Sequence, residues 1–150
     1  MKIFVTVGTT KFDRLIRAVD SYIDVKQCQC TYQVADGEYK PSKGISFTFT
    51  QDIDNYYKQA DIVITHAGAG SIYHLLEINK VVIIVPNLER VDKHQSDIAD
   101  FMCKGGYARV CYDIEKIGDV INNIVNFKPN KFPKREFFKQ KEISTFILGS

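Results

Sequence analysis

The sequence predicts an α/β domain, a parallel β-sheet covered by helices on both faces. Three observations carry that expectation. Short apolar runs rich in β-branched residues recur along the chain, with segments of helical apolar spacing between them. One run, residues 81–85 (VVIIV), is apolar throughout and stops at Pro86, as a central parallel strand buried on both sides must be. Finally, strand and helix patterns alternate from end to end, which favours βαβ units over hairpins. No internal repeat or linker divides the chain. Its 150 residues, 45% of them apolar, suffice for one core, so residues 1–150 read as a single domain.

The elements follow in order. Residues 3–7 (IFVTV) read as a buried strand ending at Gly8. Phe12, Leu15, Ile16, Val19 and Ile23 then share one helical face over 12–23. Residues 31–35 and 45–50 are weaker strand candidates on either side of the turn-rich DGEYKPSKG. Asp52 reads as the N-cap of a short helix through Gln59. A strand is expected over 62–65 and a helix over 71–79 with Ile72, Leu75 and Leu76 inward. After the 81–85 strand comes a helix over 95–104, stopped by Gly105 and Gly106. A last strand over 109–112 leads into a helix over 114–126, and an amphipathic helix is expected over about 134–148.

Composition narrows the functional classes. A net charge of +2 gives no bulk electrostatic case for nucleic acid. Cys28, Cys30, Cys103 and Cys111 form no CxxC pair and no zinc spacing, so reduced thiols in a cytoplasmic protein are expected. There is no signal-peptide pattern and no apolar stretch near the roughly 20 residues of a membrane span. His66, His74 and His94 show no metal spacing, and no acidic cluster resembles a magnesium site. Neither a cofactor nor a metal is expected.

In parallel α/β sheets ligands bind beyond the carboxyl ends of the strands. Three loops there could carry chemistry. Gly8-Thr9-Thr10 offers a glycine for close approach and two hydroxyls; a plain strand-to-helix turn explains it as well. It is not GxGxxG, which argues against a dinucleotide-dependent oxidoreductase. Residues 65–71 (THAGAGS) leave the backbone bare immediately before a helix, where free amides and the dipole favour an anion such as a diphosphate. The alternative is a small-residue turn for tight packing. His94 and Gln95 open the helix after the fifth strand and could reach sugar hydroxyls, or simply cap that helix.

With these loops in view, MKIFVTVGTTKFDRLI, YYKQADIVITHAGAGSI and DKHQSDIA together resemble glycosyltransferase family 28. The resemblance is to its small stand-alone C-terminal-domain members and spans roughly residues 1–112. They include the catalytic subunit of the split N-acetylglucosaminyltransferase of the dolichol pathway and bacterial PssE-type exopolysaccharide and capsule subunits. The resemblance implies a Rossmann-like domain, the donor-binding half of a GT-B enzyme cut in two. It implies an inverting UDP-sugar transferase acting on a lipid-linked saccharide acceptor, active only with a membrane-associated acceptor-binding subunit, which would also supply the general base. A non-catalytic nucleotide-binding regulatory subunit of the same fold is the alternative. By the same resemblance Gly8, Thr9, Thr10, Gly68, Ala69, Gly70 and Ser71 would face the diphosphate, with His66 in the same loop. Phe49-Thr50 would read the uracil base by its backbone, and His94 and Gln95 would meet the donor sugar. Where many relatives carry a ribose-binding glutamate this chain has His74, with Glu77 one turn on as a substitute.

The tail stands apart in charge. Residues 128–142 hold six Lys/Arg against two Glu, a local +4 that leaves −2 elsewhere. With Phe132, Phe137, Phe138, Ile143, Phe146, Ile147 and Leu148 interleaved, the basic and aromatic segment over about 128–150 reads as the docking element for the partner. Packing on the domain itself and attraction to anionic lipid are the alternatives. On this reading the protein is cytoplasmic and meets the membrane through its partner.

Overall fold

A computed structural model describes residues 1–66, 68–88 and 94–132, with the side chains of His94 and Gln95 outside the description. Its elements are β1 (Lys2–Thr6), α1 (Asp13–Tyr22), β2 (Gln29–Gln33), β3 (Ile45–Phe47), α2 (Ile53–Gln59), β4 (Ile62–Thr65), α3 (Ala69–Glu77), β5 (Val81–Ile84), α4 (His94–Lys104), β6 (Arg109–Val110) and α5 (Ile117–Asn123). Single 3-10 turns, Ile114–Lys116 and Ile124–Asn126, flank α5. The strands form one sheet in the order β3-β2-β1-β4-β5-β6, with every pairing parallel. The helix expected over 134–148 lies outside the described residues.

Strand alternation sorts the apolar residues into two layers. Ile3, Val5, Val7, Tyr32, Ile64 and Ile83 face one side, where Leu15, Ile16 and Val19 of α1 and Ile117 and Ile121 of α5 cover them. Phe4, Val63, Val82 and Ile84 face the other, under Tyr57 of α2, Ile72 and Leu75 of α3, and Ile98 and Met102 of α4. The expected face of α1 is the buried one, with Leu15, Ile16 and Val19 wholly enclosed. Each such side chain stabilises the fold by about 1.5–3 kcal/mol relative to exposure.

Chain reversals use identifiable chemistry. At the end of α4, Gly106 has φ +68; its N–H donates to the Cys103 carbonyl and that of Tyr107 to Met102, a Schellman closure. Asn79 closes α3 the same way at φ 62, with Asn79 and Lys80 donating to Leu76 and Leu75. That closure ends the helix at Glu77, two residues short of the expectation. Asp52 does stand at the N-cap of α2, but its side chain makes no capping bond. Its own N–H instead donates to the Thr50 hydroxyl at 3.0 Å, so the loop is stabilised ahead of the helix. Of the weaker strand candidates, the first keeps its length but lies two residues earlier, at Gln29–Gln33, and the second shortens to Ile45–Phe47.

The connection between β2 and β3 is tied to two carboxylates of α1: Asp13 accepts from the Glu38 and Tyr39 amides at 3.1 and 3.4 Å, and the other, Asp20, is buried. Asp20, 2% exposed, accepts hydrogen bonds from the Tyr39 hydroxyl at 2.6 Å and from the Ser42 and Lys43 amides at 3.0 and 2.9 Å. Burial alone raises the pKa of this carboxyl; the donors from Tyr39, Ser42 and Lys43 outweigh it and hold the group below its ordinary 3.8. Around the rest of the domain the four cysteines are all free thiols. Burial pushes Cys30 up to about 12 and Cys111 up to about 11, so neither is a reactive thiolate.

Asp20→Asn should cost about 1–3 kcal/mol at neutral pH, because an amide sets a donor against the donors of the loop. The native carboxyl is depressed, so its contribution is fully present above the unfolded value of 3.8 and lost as pH falls through the folded one. Urea unfolding from about pH 7 down to about pH 2 should therefore show the gap between wild type and variant closing only in the acid range. A gap that stays constant across that range would contradict the assignment.

Candidate functional site

The strand order reverses at β1. From β1 the chain turns to α1 on one face, and from the adjacent β4 it turns to α3 on the other. Loops that leave neighbouring strands toward opposite faces open a crevice at their carboxyl ends. The Gly8 and Gly68 loops are those two loops. Gly8 takes φ +69, a left-handed conformation that costs an L-residue about 1–2 kcal/mol, and Thr9 and Thr10 beyond it are exposed. The His66 ring packs against both glycines: a Cβ on Gly8 would lie 2.8 Å from His66 Cε1, and one on Gly68 would lie 3.0 Å from His66 Nε2. Ala67 lies outside the described residues.

Helix α3 begins at Ala69 with Gly68 as N-cap and no capping side chain. The first intrahelical bond runs from the Ile72 N–H to the Gly68 carbonyl at 3.1 Å, so the amides of Ala69, Gly70 and Ser71 have no partner within the helix. A Cβ on Gly70 would meet nothing within 4 Å, which leaves open space over that first turn. The buried phenol of Tyr57 faces the Ser71 hydroxyl, and its pKa is raised chiefly by burial. His74 Nε2 lies 2.8 Å from Asp54 Oδ1, with the two side chains 42% and 62% exposed. Asp54 and Tyr57, three apart on α2, thus engage Ser71 and His74, three apart on α3. Glu77 is exposed on the last turn of α3.

The stretch after β3 reaches the same end of the sheet. Phe49 is 58% exposed, and Thr50 holds the Asp52 amide. His94 and Gln95 begin α4, also beyond a strand's carboxyl end; the loop before them, residues 89–93, lies outside the described residues. Among the described residues no group of three or more His, Cys, Asp or Glu could hold a metal ion. No helix among them is long and apolar enough to cross a membrane.

Set against known proteins, residues 2–147 match the glycosyltransferase family 28 C-terminal domain. The chain belongs to that family. Similar sequences include the UDP-N-acetylglucosamine transferase subunit ALG13 of Candida albicans, 34% identical over 88 residues, covering 59% of this chain and 30% of the relative. The human protein of the same name is 33% identical over 122 residues, covering 73% of this chain and 11% of its own length. This family 28 domain therefore spans less than a third of those relatives. Its fold is also that of Acinetobacter baumannii MurG, with TM-score 0.68 at 17% identity over 100% of this chain and 52% of that one. A solution structure of ALG13 gives TM-score 0.63 at 22% identity, covering 98% and 96%. The shared architecture is the Rossmann-like α/β fold seen in GT-B glycosyltransferases.

In this family 28 domain the loop glycines could be read from sequence, but three supporting side chains could not. Gln33 is 3% exposed and binds the Gly8 loop directly: its Oε1 accepts from the Gly8 N–H at 3.0 Å, and its Nε2 donates to the Gly8 carbonyl at 2.8 Å. Gly8 therefore shapes its loop while its own amide is taken. Asp54 and Tyr57 are the other two. The available signal for Gln33 was a polar residue between Tyr32 and Val34 on a buried strand, facing the sheet side where a core residue is expected.

The two loops should respond oppositely to a methyl group. Gly8→Ala should destabilise the domain by about 1–2 kcal/mol from the left-handed backbone alone, with the His66 contact adding to it. Gly70→Ala should be neutral or stabilising by up to about 1 kcal/mol, since helix positions favour Ala where space is open. Chemical denaturation midpoints decide; equal losses at both positions would mean that the space over Gly70 is not open in solution.

Proposed function

We propose that this chain is the donor-binding catalytic subunit of a two-component inverting UDP-sugar glycosyltransferase that acts on a lipid-linked acceptor. The observation that carries the reading is the uncapped first turn of α3, with Gly70 unobstructed, at the point where the strand order reverses. Unpaired amides at a helix start suit a diphosphate, which gains both hydrogen bonds and the favourable dipole. Thr9 and Thr10 add exposed hydroxyls from the facing loop. The name UDP-N-acetylglucosamine transferase subunit, borne by the similar proteins, supports both the donor class and the need for a partner.

On this reading the uridine lies toward Phe49 and Thr50 and the ribose toward His74, with His94 and Gln95 at the donor sugar. The Asp54 carboxylate orients the His74 imidazole, which takes the place of a direct carboxylate grip on the ribose. In the reaction an acceptor hydroxyl oxygen attacks the anomeric carbon as the bond to the diphosphate oxygen breaks, inverting that centre. The hydroxyl proton passes to a base on the acceptor-binding partner. UDP leaves with its developing charge met by the amides of Ala69, Gly70 and Ser71 rather than by a cation. The protein reaches the membrane through that partner. The tail beyond residue 132 is the proposed docking element; Phe132 itself packs with Tyr73 and Tyr107 in the domain, so the docking segment begins after it.

UDP at about a hundred times its Kd should raise the unfolding free energy by about 2.7 kcal/mol. Gly70→Val should abolish that shift with the fold intact; an unchanged shift would move the diphosphate elsewhere. Mixed with its partner and acceptor, the protein should release UDP from UDP-sugar, and EDTA should not stop it. Nucleotide binding without UDP release would favour a regulatory subunit, and a strict manganese or magnesium requirement would overturn the metal-free step. Truncation after Phe132 should leave UDP binding intact and abolish both co-purification with the partner and transfer. A truncated chain that still transfers sugar would show that docking lies elsewhere.

A further inference from the structure

Gln33 is a polar side chain enclosed in a sheet, and all of its hydrogen-bonding capacity is used. Its Oε1 accepts from the Thr6 hydroxyl at 2.5 Å, the Val7 amide at 3.2 Å and the Gly8 amide at 3.0 Å. Its Nε2 donates to the Gly8 carbonyl at 2.8 Å and to the Thr48 carbonyl at 2.7 Å. These partners belong to two segments distant in sequence, the end of β1 with the turn that follows it, and the turn after β3. The backbone does not need Gln33 to hold either segment to β2. Val34 and Ala35 donate to the Phe47 and Thr48 carbonyls at 2.9 and 3.1 Å, and Val7 donates to the Gln33 carbonyl at 3.3 Å. What only the side chain supplies is a direct bridge between Gly8 and Thr48.

We infer that Gln33 is a positioning residue that couples the phosphate-facing turn at Gly8 to the stretch 48–50, so that nucleobase selectivity depends on its amide. The inference rests on the proposed nucleotide reading of this site. A nucleoside diphosphate touches both turns at once, and the gap between them decides which base fits while its phosphates are bound. Gln33 fixes that gap by reading the N–H and the carbonyl of Gly8 with one rigid amide and Thr48 with the same nitrogen. Inorganic pyrophosphate occupies only the phosphate end, between the first turn of α3 and the Gly8 loop, and does not sense the gap.

The test is calorimetric titration of the full chain with UDP, ADP and inorganic pyrophosphate. Wild type should prefer UDP to ADP. Gln33→Met should cut that preference about tenfold, the effect of one or two lost buried hydrogen bonds, while pyrophosphate affinity changes far less. Thr6→Val removes the hydroxyl that donates to Oε1 and accepts a long 3.4 Å bond from the Gly8 amide, and it leaves both Nε2 bonds, so it should lower Tm and keep the preference. The inference is overturned if Gln33→Met retains the UDP preference, or if its UDP and pyrophosphate affinities fall together. It is equally overturned if Thr6→Val loses selectivity in proportion to its Tm. Should Gln33→Met not fold, wild type decides by NMR: the Gln33 side-chain amide protons should shift with UDP and much less with pyrophosphate, and silence toward UDP overturns it. Wild type that binds no UDP would instead defeat the functional reading on which this rests.

Discussion

One buried amide bridges the turns at the carboxyl ends of β1 and β3. The ends of β1, β2 and β3 run parallel, so their backbone ladders stop at the same level and leave turn amides and carbonyls with no strand to bond. An unpaired polar group enclosed there costs about 1–3 kcal/mol. Gln33 answers several such groups at once, in a row that also contains Thr6 and Thr65, its register neighbours across β1 and β4. Opposite Gln33 in this row, Thr65 is fully buried and its hydroxyl has no partner among the described residues. One rung down on the same face, Phe4, Val63 and Val82 are apolar, beside half-buried Thr31. That face is thus polar at the carboxyl ends of β2, β1 and β4, where the crevice opens. A cushion of this kind lets glycine loops sit on the sheet without exposing it.

Most of the architecture was legible because it follows from burial. The period-2 and period-3.6 patterns of apolar residues name the strands and the buried face of α1, since those residues must leave water whatever else happens. Misplaced boundaries share a physical cause: the ends are set by local polar bonds that hydrophobic patterning does not record. Asn79 stops α3 by entering the left-handed region, where its own amide and that of Lys80 turn back on Leu76 and Leu75; the start of α2 after Asp52 stands where the sequence placed it. The β2–β3 connection reads as a loose, turn-rich stretch in sequence and is in fact pinned by Asp20, a residue on the apparently apolar face of α1.

The candidate site divides along the same line. Its glycines and its helix start were visible because glycine has few other reasons to cluster beyond a strand. The side chains that brace them were not. Asp54 meets His74, and Tyr57 meets Ser71, only after α2 and α3 are packed side by side, and no spacing within one segment announces a contact between two. Gln33 left a trace, a polar residue at a core position of a strand, but its partners could not be named until β1 and β3 flanked it.

The edge strand β3 has a consequence for the behaviour of the protein in crowded solution. Among the described residues it pairs with β2 on one side and with no strand on the other, and its Ile45 side chain is 65% exposed. Such an edge is a template for a foreign strand. Here the invitation is brief: the strand is three residues long, Lys43 precedes it, and Gly44 at φ +140 breaks the extended run before it. An incoming chain would find too few rungs to register against and a cation at the first of them. This edge of the sheet therefore offers other chains little to extend.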